Sequence, residues 1–309
     1  MSKVGYVYDD IMLLHEEYDH PECPDRIKVI YNELTKRNYL NKMIKIDSKT
    51  ITKEELQLVH SKMYIDSIYK VFTLPEKQIK AIVKNMESMY ANKNSLVSAE
   101  VAAGSTLNLM KNILNEDISH GVAIIRPPGH HACYTNASGF CFFNNATIAT
   151  KYALNSGKRV AVVDFDIHES DGSKNILKSE PNSLLISIHR YDYGNYYPGT
   201  GKSINQKNIW YVPLNNAQGT DEEYYKIFEQ VIIPKLTEFK PDIIVISAGF
   251  DAAEGDPLGG YHLTPNCYYN MTKLLMGFGK PLLLVLEGGY DLNSIALSMA
   301  ECVRCLLDV

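Results

Sequence analysis

Asp164, Asp166 and His168 alternate along the segment DFDIHESDG, so in an extended chain their side chains point to one face. A carboxylate and an imidazole from such a segment, joined by Asp251 from AGFDAAEGDPLGG, make a three-ligand set for a divalent cation. Asp166, His168 and Asp251 would neutralise the ion and leave positions open for water and substrate, as a catalytic zinc site requires. Such a metal polarises an amide carbonyl and lowers the pKa of water. The same residues also fit a plainer role, with Asp164 and Asp166 capping a strand end and His168 satisfied in the core. The alternating motif by itself selects no reaction, because binuclear metal hydrolases use similar strand-end carboxylates.

The pair His130 and His131 narrows the choice. It follows Pro127, Pro128 and Gly129, where the prolines restrict the backbone and the glycine permits close approach. Two imidazoles beside a metal can serve as general base and general acid in one turnover. Each needs a carboxylate to fix its tautomer, and Asp164 and Asp171 are available. Tyr290 follows two glycines in EGGY, and its hydroxyl could donate to an oxyanion formed when water attacks a carbonyl. Isolated, the histidine pair reads as a polar loop and Tyr290 as one packed aromatic among 21 tyrosines.

These residues must be held by regular elements, and the pattern supplies them. Gly121–Ile125, Arg159–Val163, Leu184–Ser187, Ile243–Ser247 and Leu282–Leu286 read as strands, most of them continuous apolar runs. Such runs suit central strands of a parallel sheet covered on both faces. Between them, Ser95–Asn112 and Asp221–Phe239 read as helices, the second interrupted by Pro234. Alternation of this kind predicts an α/β fold with an open, mostly parallel sheet. Ligands of such sheets bind beyond the carboxyl ends of the strands. RPPGHHA, DFDIHESDG, AGFDAAEGDPLGG and EGGYD each follow a predicted strand, so the chemistry-bearing residues converge on one rim.

The 309 residues show no linker, repeat or composition break, which predicts one domain over 1–309. A net charge of −5 and the lack of any Lys/Arg-dense stretch exclude a nonspecific nucleic-acid binder. The start MSKVGYVYDDIMLL has no signal-peptide pattern, and no apolar run approaches a membrane span. Six scattered cysteines read as free thiols, Cys302 and Cys305 among them as helix residues. Together these features predict an intracellular protein, cytoplasmic or nuclear.

RPPGHHA, GFCFFNN, DFDIHESDG, SIHRYDYGNYYPGTG, AGFDAAEGDPLGG and EGGYD, in this order and spacing, resemble the zinc-dependent histone deacetylase family, particularly its class II branch. The resemblance runs from about Gly5 to the final helix. It implies an arginase-like α/β fold and zinc held by Asp166, His168 and Asp251. It also implies His131 as the principal base and acid, oriented by Asp171, and His130 as its electrostatic partner, oriented by Asp164. Tyr290 would polarise the acetyl carbonyl. A tunnel for the acyl-lysine chain would be walled by Phe140 and Tyr197, with a backbone contact at Gly139. Arg26 matches a position near the acetate-release cavity, and Asp164 with Ser187 would take part in a monovalent cation site, usually for potassium. The chain departs from the pattern at Glu169 and Ser170, where His-Gly is usual, and at Tyr197, where phenylalanine is common.

The implied substrate is an acetylated protein or peptide. A related polyamine enzyme carries glutamate seven positions after the third metal ligand, where this chain has Leu258, which favours a protein or peptide over a cationic small amine. Glu22 and Cys23 in HPECPD match part of a polyamine-enzyme constriction, but their register fits the class II entrance loop better. The competing readings are a deacetylase of small acetylated amines, a silent acyl-lysine binding module and a binuclear hydrolase. The intact histidine pair, ligands and EGGY tyrosine argue against the last two.

Overall fold

The computed structural model describes residues 3–308. Among them, nine strands form one sheet. They are β1 (Val4–Val7), β2 (Ile44–Lys45), β3 (His120–Ala123), β4 (Val160–Asp164), β5 (Ser183–Arg190), β6 (Asn205–Gln206), β7 (Ile209–Leu214), β8 (Ile243–Ala248) and β9 (Leu282–Leu286). The spatial order is β2-β1-β3-β9-β8-β4-β5-β7-β6, and every pairing is parallel except β6 with β7. In the centre, β3, β9, β8 and β4 are buried at every residue, as their predominantly apolar sequence requires.

Helices cover the sheet in two groups. Ser95–Leu114 packs on β1, β3 and the helix Asn145–Asn155, which in turn meets β4 and β8. In the second group, Leu292–Leu307 packs against both Asp25–Lys36 and Pro265–Met276. The sheet and these helices share one large apolar core, and a smaller cluster lies under the segment from Ile51 to Leu107. Cys302 and Cys305 are buried in the last helix, and all six cysteines are free. Among the described residues no helix is long and apolar enough to cross a membrane.

The five strands expected from sequence are present, with ends shifted by up to three residues. The sequence reading passed over β1, β2, β6 and β7. β1 is four residues long with Gly5 inside it, and β2 and β6 have two residues each. β7 contains Pro213, which weakens a strand reading. Here β6 pairs only with Ile209 and Trp210, so at Pro213 that side of β7 has no ladder to interrupt. The interruption expected near Pro234 is a π-helical turn, Phe228–Ile232, between helices Asp221–Ile227 and Ile233–Phe239. The wider turn accommodates a proline that cannot donate to the preceding turn.

Candidate active site

The site forms beyond the carboxyl ends of β3, β4, β8 and β9. Parallel register aligns Asp164 of β4 with Ser247 of β8, so Asp166 and His168 on one loop face Asp251 on the next. Ligand atoms of Asp166, His168 and Asp251 lie within 4.8 Å of one another, and all three residues are buried. His168 Nδ1 is 3.0 Å from Asp166 Oδ1 and 3.0 Å from Asp251 Oδ2. Apart from the close approach of His168 Nδ1, Asp251 Oδ2 is buried without a hydrogen-bond donor, an arrangement that suits a cation. A side chain at position 288 would clash, because a Cβ there would sit 2.3 Å from Asp251 Oδ2 and 2.6 Å from Asp166 Oδ2. Two carboxylates and one imidazole in this cradle fit the donor set and open coordination of a catalytic zinc site.

Burial opposes charge on His168, but hydrogen bonding to the Asp166 and Asp251 carboxylates outweighs it and pushes the pKa up to about 10. Burial and the neighbouring Asp166 charge push Asp251 up to about 7. The cluster is therefore electron-rich, as a dication site should be.

The two histidines after β3 sit side by side, their ring centroids 4.1 Å apart. His130 Nδ1 meets Asp164 Oδ2 at 3.1 Å, and His131 Nδ1 meets Asp171 Oδ1 at 2.6 Å. Their electrostatics differ. Burial disfavours charge on His130, yet Asp166 and Asp164 overcome it and raise the pKa well above the ordinary value. Burial and then the adjacent His130 lower that of His131. Paired groups driven apart in this way suit separate acid–base roles. Asp171 opens the helix Asp171–Leu177, which carries its carboxylate to His131.

Glu287 clamps the histidine loop from below. Its Oε2 accepts the backbone N–H groups of Gly129 at 2.7 Å and His130 at 3.0 Å, and Oε1 accepts from Ser247 Oγ at 3.2 Å. Burial pushes its pKa up to about 7. The sequence reading assigned Glu287 no role, since nothing in EGGY shows which backbone it will meet.

Above the Asp166–His168–Asp251 cluster opens a cavity of about 210 Å³, lined by Ser88, His131, Gly139, Phe140, His168, Tyr196, Tyr197, Leu258 and Tyr290. Phe140 and Tyr197, expected as walls, line it together with Gly139 and Leu258, which were singled out for a backbone contact and for substrate choice. Ser88 and Tyr196 were not anticipated. The Tyr196 ring stacks on His168 at 5.3 Å and 14°, and its hydroxyl donates to the Leu258 carbonyl at 2.6 Å. Ser88 comes from a distant segment and has a positive φ of 51°, for which the sequence offers no cue. Tyr197 stands edge-on to His131 at 5.2 Å, and Phe140 edge-on to Tyr290 at 6.0 Å.

Arg26 is buried beneath this floor. Its guanidinium lies 5.0 Å from the Tyr290 ring centroid and donates to the Gly289 carbonyl at 2.6 Å and the Glu287 carbonyl at 2.5 Å. It also pairs with Glu22, at 3.0 Å. Glu22 lies outside the cavity wall and serves as the buried counter-ion of both Arg26 and Arg126, the latter at 2.6 Å. Ser187 is the register partner of Asp164, and its hydroxyl pairs with His189 Nδ1 at 3.0 Å. The departures at 169 and 170 are buried too, with Glu169 bound to Lys174 and to the Thr200 hydroxyl.

The family model described as the histone deacetylase domain matches residues 20–306. Histone deacetylase 5 of Arabidopsis thaliana is 37% identical over 328 residues, covering 99% of this chain and 49% of the relative. Histone deacetylase clr3 of Schizosaccharomyces pombe is 33% identical, covering 100% of this chain and 48% of the relative. The chain thus spans about half the length of these curated relatives. The crystal structure of the HDA15 HD domain superposes with a TM-score of 0.91 at 36% identity, covering 99% of this chain and 88% of that one.

Proposed function

Because the chain belongs to the histone deacetylase family, we propose that it hydrolyses the acetyl amide of N-ε-acetyl-lysine in proteins or peptides, releasing acetate. The observation that carries this reading is the meeting of the Asp166–His168–Asp251 cluster and His131 on the floor of one aromatic-walled cavity. The proposal takes residues 1–309 as one catalytic domain.

Phe140 and Tyr197 would flank the lysine stem, whose four methylenes gain roughly 3 kcal/mol when taken from water. Asp166, His168 and Asp251 would hold the zinc, which when bound would polarise the acetyl carbonyl and acidify the attacking water. Asp171 accepts a hydrogen bond from the His131 Nδ1–H, which keeps the proton on Nδ1 and leaves the Nε2 lone pair free as a base. His131 Nε2 takes a proton from the water as its oxygen bonds to the acetyl carbon. It returns that proton to the lysine nitrogen as the C–N bond breaks, giving the free amine and acetic acid, which ionises to acetate as the amine takes up its proton. His130, held charged between Asp164 and Asp166, stabilises negative charge beside the reacting carbonyl. The Tyr290 hydroxyl, which has no hydrogen-bond partner of its own among the described residues, donates to the developing oxyanion. Arg26 faces the acetate-release side and holds the Tyr290 loop by its carbonyls.

A monovalent cation site, usually for potassium, using Asp164 and its register partner Ser187 is a secondary part of this proposal. The free cysteines suit an intracellular setting. Leu258 at the mouth offers no charge to a polyamine, which favours a protein or peptide substrate. The test is kcat/KM of the zinc-loaded protein for an acetyl-lysine peptide against an acetylated spermidine. Preference for the peptide supports the proposal, preference for the spermidine overturns the substrate class, and silence toward both overturns the activity.

A further inference from the structure

Glu169 stands where the chain leaves its family's usual His-Gly, and its carboxylate is completely buried immediately after the metal ligand His168. A buried carboxylate is stable only when paired and hydrogen-bonded. Glu169 meets both conditions with partners from two different elements. Oε1 accepts from Lys174 Nζ at 2.5 Å, and Oε2 accepts from the Thr200 hydroxyl. Lys174 lies one turn along the helix that Asp171 opens. Thr200 lies near the end of segment 191–201, which carries both Tyr196 and Tyr197 to the cavity wall.

That segment is anchored unevenly. Its start is fastened by the Tyr191 N–H to the Leu214 carbonyl at 2.8 Å, by Arg190 to Asp192, and by the Tyr193 N–H to Asn215 Oδ1 at 2.8 Å. Its middle is held by the Tyr196 hydroxyl on Leu258. Beyond Tyr197 the ties are Thr200 to Glu169 and the Gly201 carbonyl to His189 Nε2 at 2.8 Å. Gly201 has a φ of 97°, and a Cβ there would lie 2.9 Å from Glu169 Oε2 and 2.6 Å from His189 Nε2. The glutamate side chain therefore fills the space against which the end of the segment closes.

We propose that Glu169 is a positioning residue that latches the far end of the segment from Tyr191 to Gly201, and through it sets the bore of the cavity at Tyr196 and Tyr197. Tyr197 is three residues from Thr200, and the Gly199 N–H bonded to the Tyr196 carbonyl at 2.7 Å closes the intervening turn, so movement at Thr200 is passed to the wall. The Glu169 carboxylate touches neither substrate nor reacting atoms. Its effect is on which acyl chain the walls accept, and this consequence rests on the acyl-lysine reading given above.

The experiment compares Thr200→Val with Thr200→Ser, which differ in the hydroxyl that Glu169 accepts. For an acetyl-lysine peptide, Thr200→Val should raise KM about three- to tenfold, since only part of the loss of a bond to a charged acceptor reaches the cavity wall. Its kcat should stay within about twofold, since the reacting groups are untouched. Preference for acetyl over butyryl-lysine should narrow, and amides in 192–201 should exchange with deuterium faster. Thr200→Ser should match the wild type in all of these. Wild-type KM, acyl preference and exchange in Thr200→Val would overturn the latch, as would a serine variant that behaves like the valine one. Hydrogen exchange needs no turnover. If the wild type cleaves no acetyl-lysine peptide, the functional reading fails and the exchange comparison still decides whether the latch exists.

Discussion

Tyr290→Phe removes one oxygen atom from the reaction site and nothing else from the fold. The ring keeps its neighbours, edge-on Phe140 at 6.0 Å and the Arg26 guanidinium at 5.0 Å. The hydroxyl makes no hydrogen bond to any described residue, so the folded state loses no partner and stability should change by less than about 0.5 kcal/mol. Burial pushes the phenol well above its ordinary pKa of 10, which keeps it a donor throughout the working pH range. Removing one preorganised oxyanion donor typically lowers kcat by about 10²–10³, or roughly 2.7–4 kcal/mol of transition-state stabilisation. The assay is kcat and KM of the zinc-loaded variant on an acetyl-lysine peptide, with a urea titration on the same sample. The expected result is a large loss in kcat with near-normal KM and an unchanged urea midpoint. A kcat within about threefold of the wild type would refute the assignment, because no oxyanion donor is worth so little in a water-poor site. A loss of kcat accompanied by a lowered midpoint would point instead to a packing role.

Other consequences follow from the same geometry. Asp251→Ala removes one of three ligand groups and should abolish zinc retention after dialysis. Stoichiometric zinc measured in that variant by atomic absorption would show the ligand set to be wrong. Glu22→Ala leaves Arg26 and Arg126 buried without their shared carboxylate, which should lower stability by about 3–5 kcal/mol in urea unfolding; a shift below about 1 kcal/mol would mean the pairs are not desolvated as observed. His60 is held neutral, with Nδ1 on the Cys133 carbonyl at 2.9 Å and Nε2 accepting the Asn144 N–H at 3.0 Å, and burial pushes its pKa down to about 4. Its folded pKa is below the unfolded value of about 6.5, so its contribution is complete above that pH and is lost as pH falls toward 4. Between pH 7 and 4.5 the wild type should therefore lose about 2–3 kcal/mol more stability than His60→Gln. Parallel pH profiles for the two proteins would exclude the linkage.

Much of the candidate site could be read from one dimension. Asp164, Asp166 and His168 share a face because extended chain alternates, and that is a local property. The ends of β3, β4, β8 and β9 share a rim because parallel strands with helical crossovers all point one way, so four motifs far apart in sequence had one place to meet. Continuous runs such as Leu282–Leu286 identified the buried centre of the sheet, and glycines and prolines marked the loops beside it. The weaker signals lay at the margins, where β1, β2, β6 and β7 are too short or too mixed to carry a period.

What sequence could not express is which groups from unrelated segments would touch. The carboxylates of Glu22, Glu169 and Glu287 look alike along the chain. Folding makes the first a counter-ion for two arginines, the second a clasp on the Tyr196–Tyr197 segment, and the third a clamp on the histidine loop. The opposite pKa displacements of His130 and His131 arise in the same way. The two residues are adjacent in sequence, but one lies among the carboxylates of Asp164 and Asp166, while the other is buried beside its charged neighbour. Burial and charge proximity depend on through-space distance in a low-dielectric interior, and the order of residues along the chain does not carry that distance. Residue types and periodicity thus determined the fold class and the chemistry on offer, and tertiary packing decided the state and the role of each group.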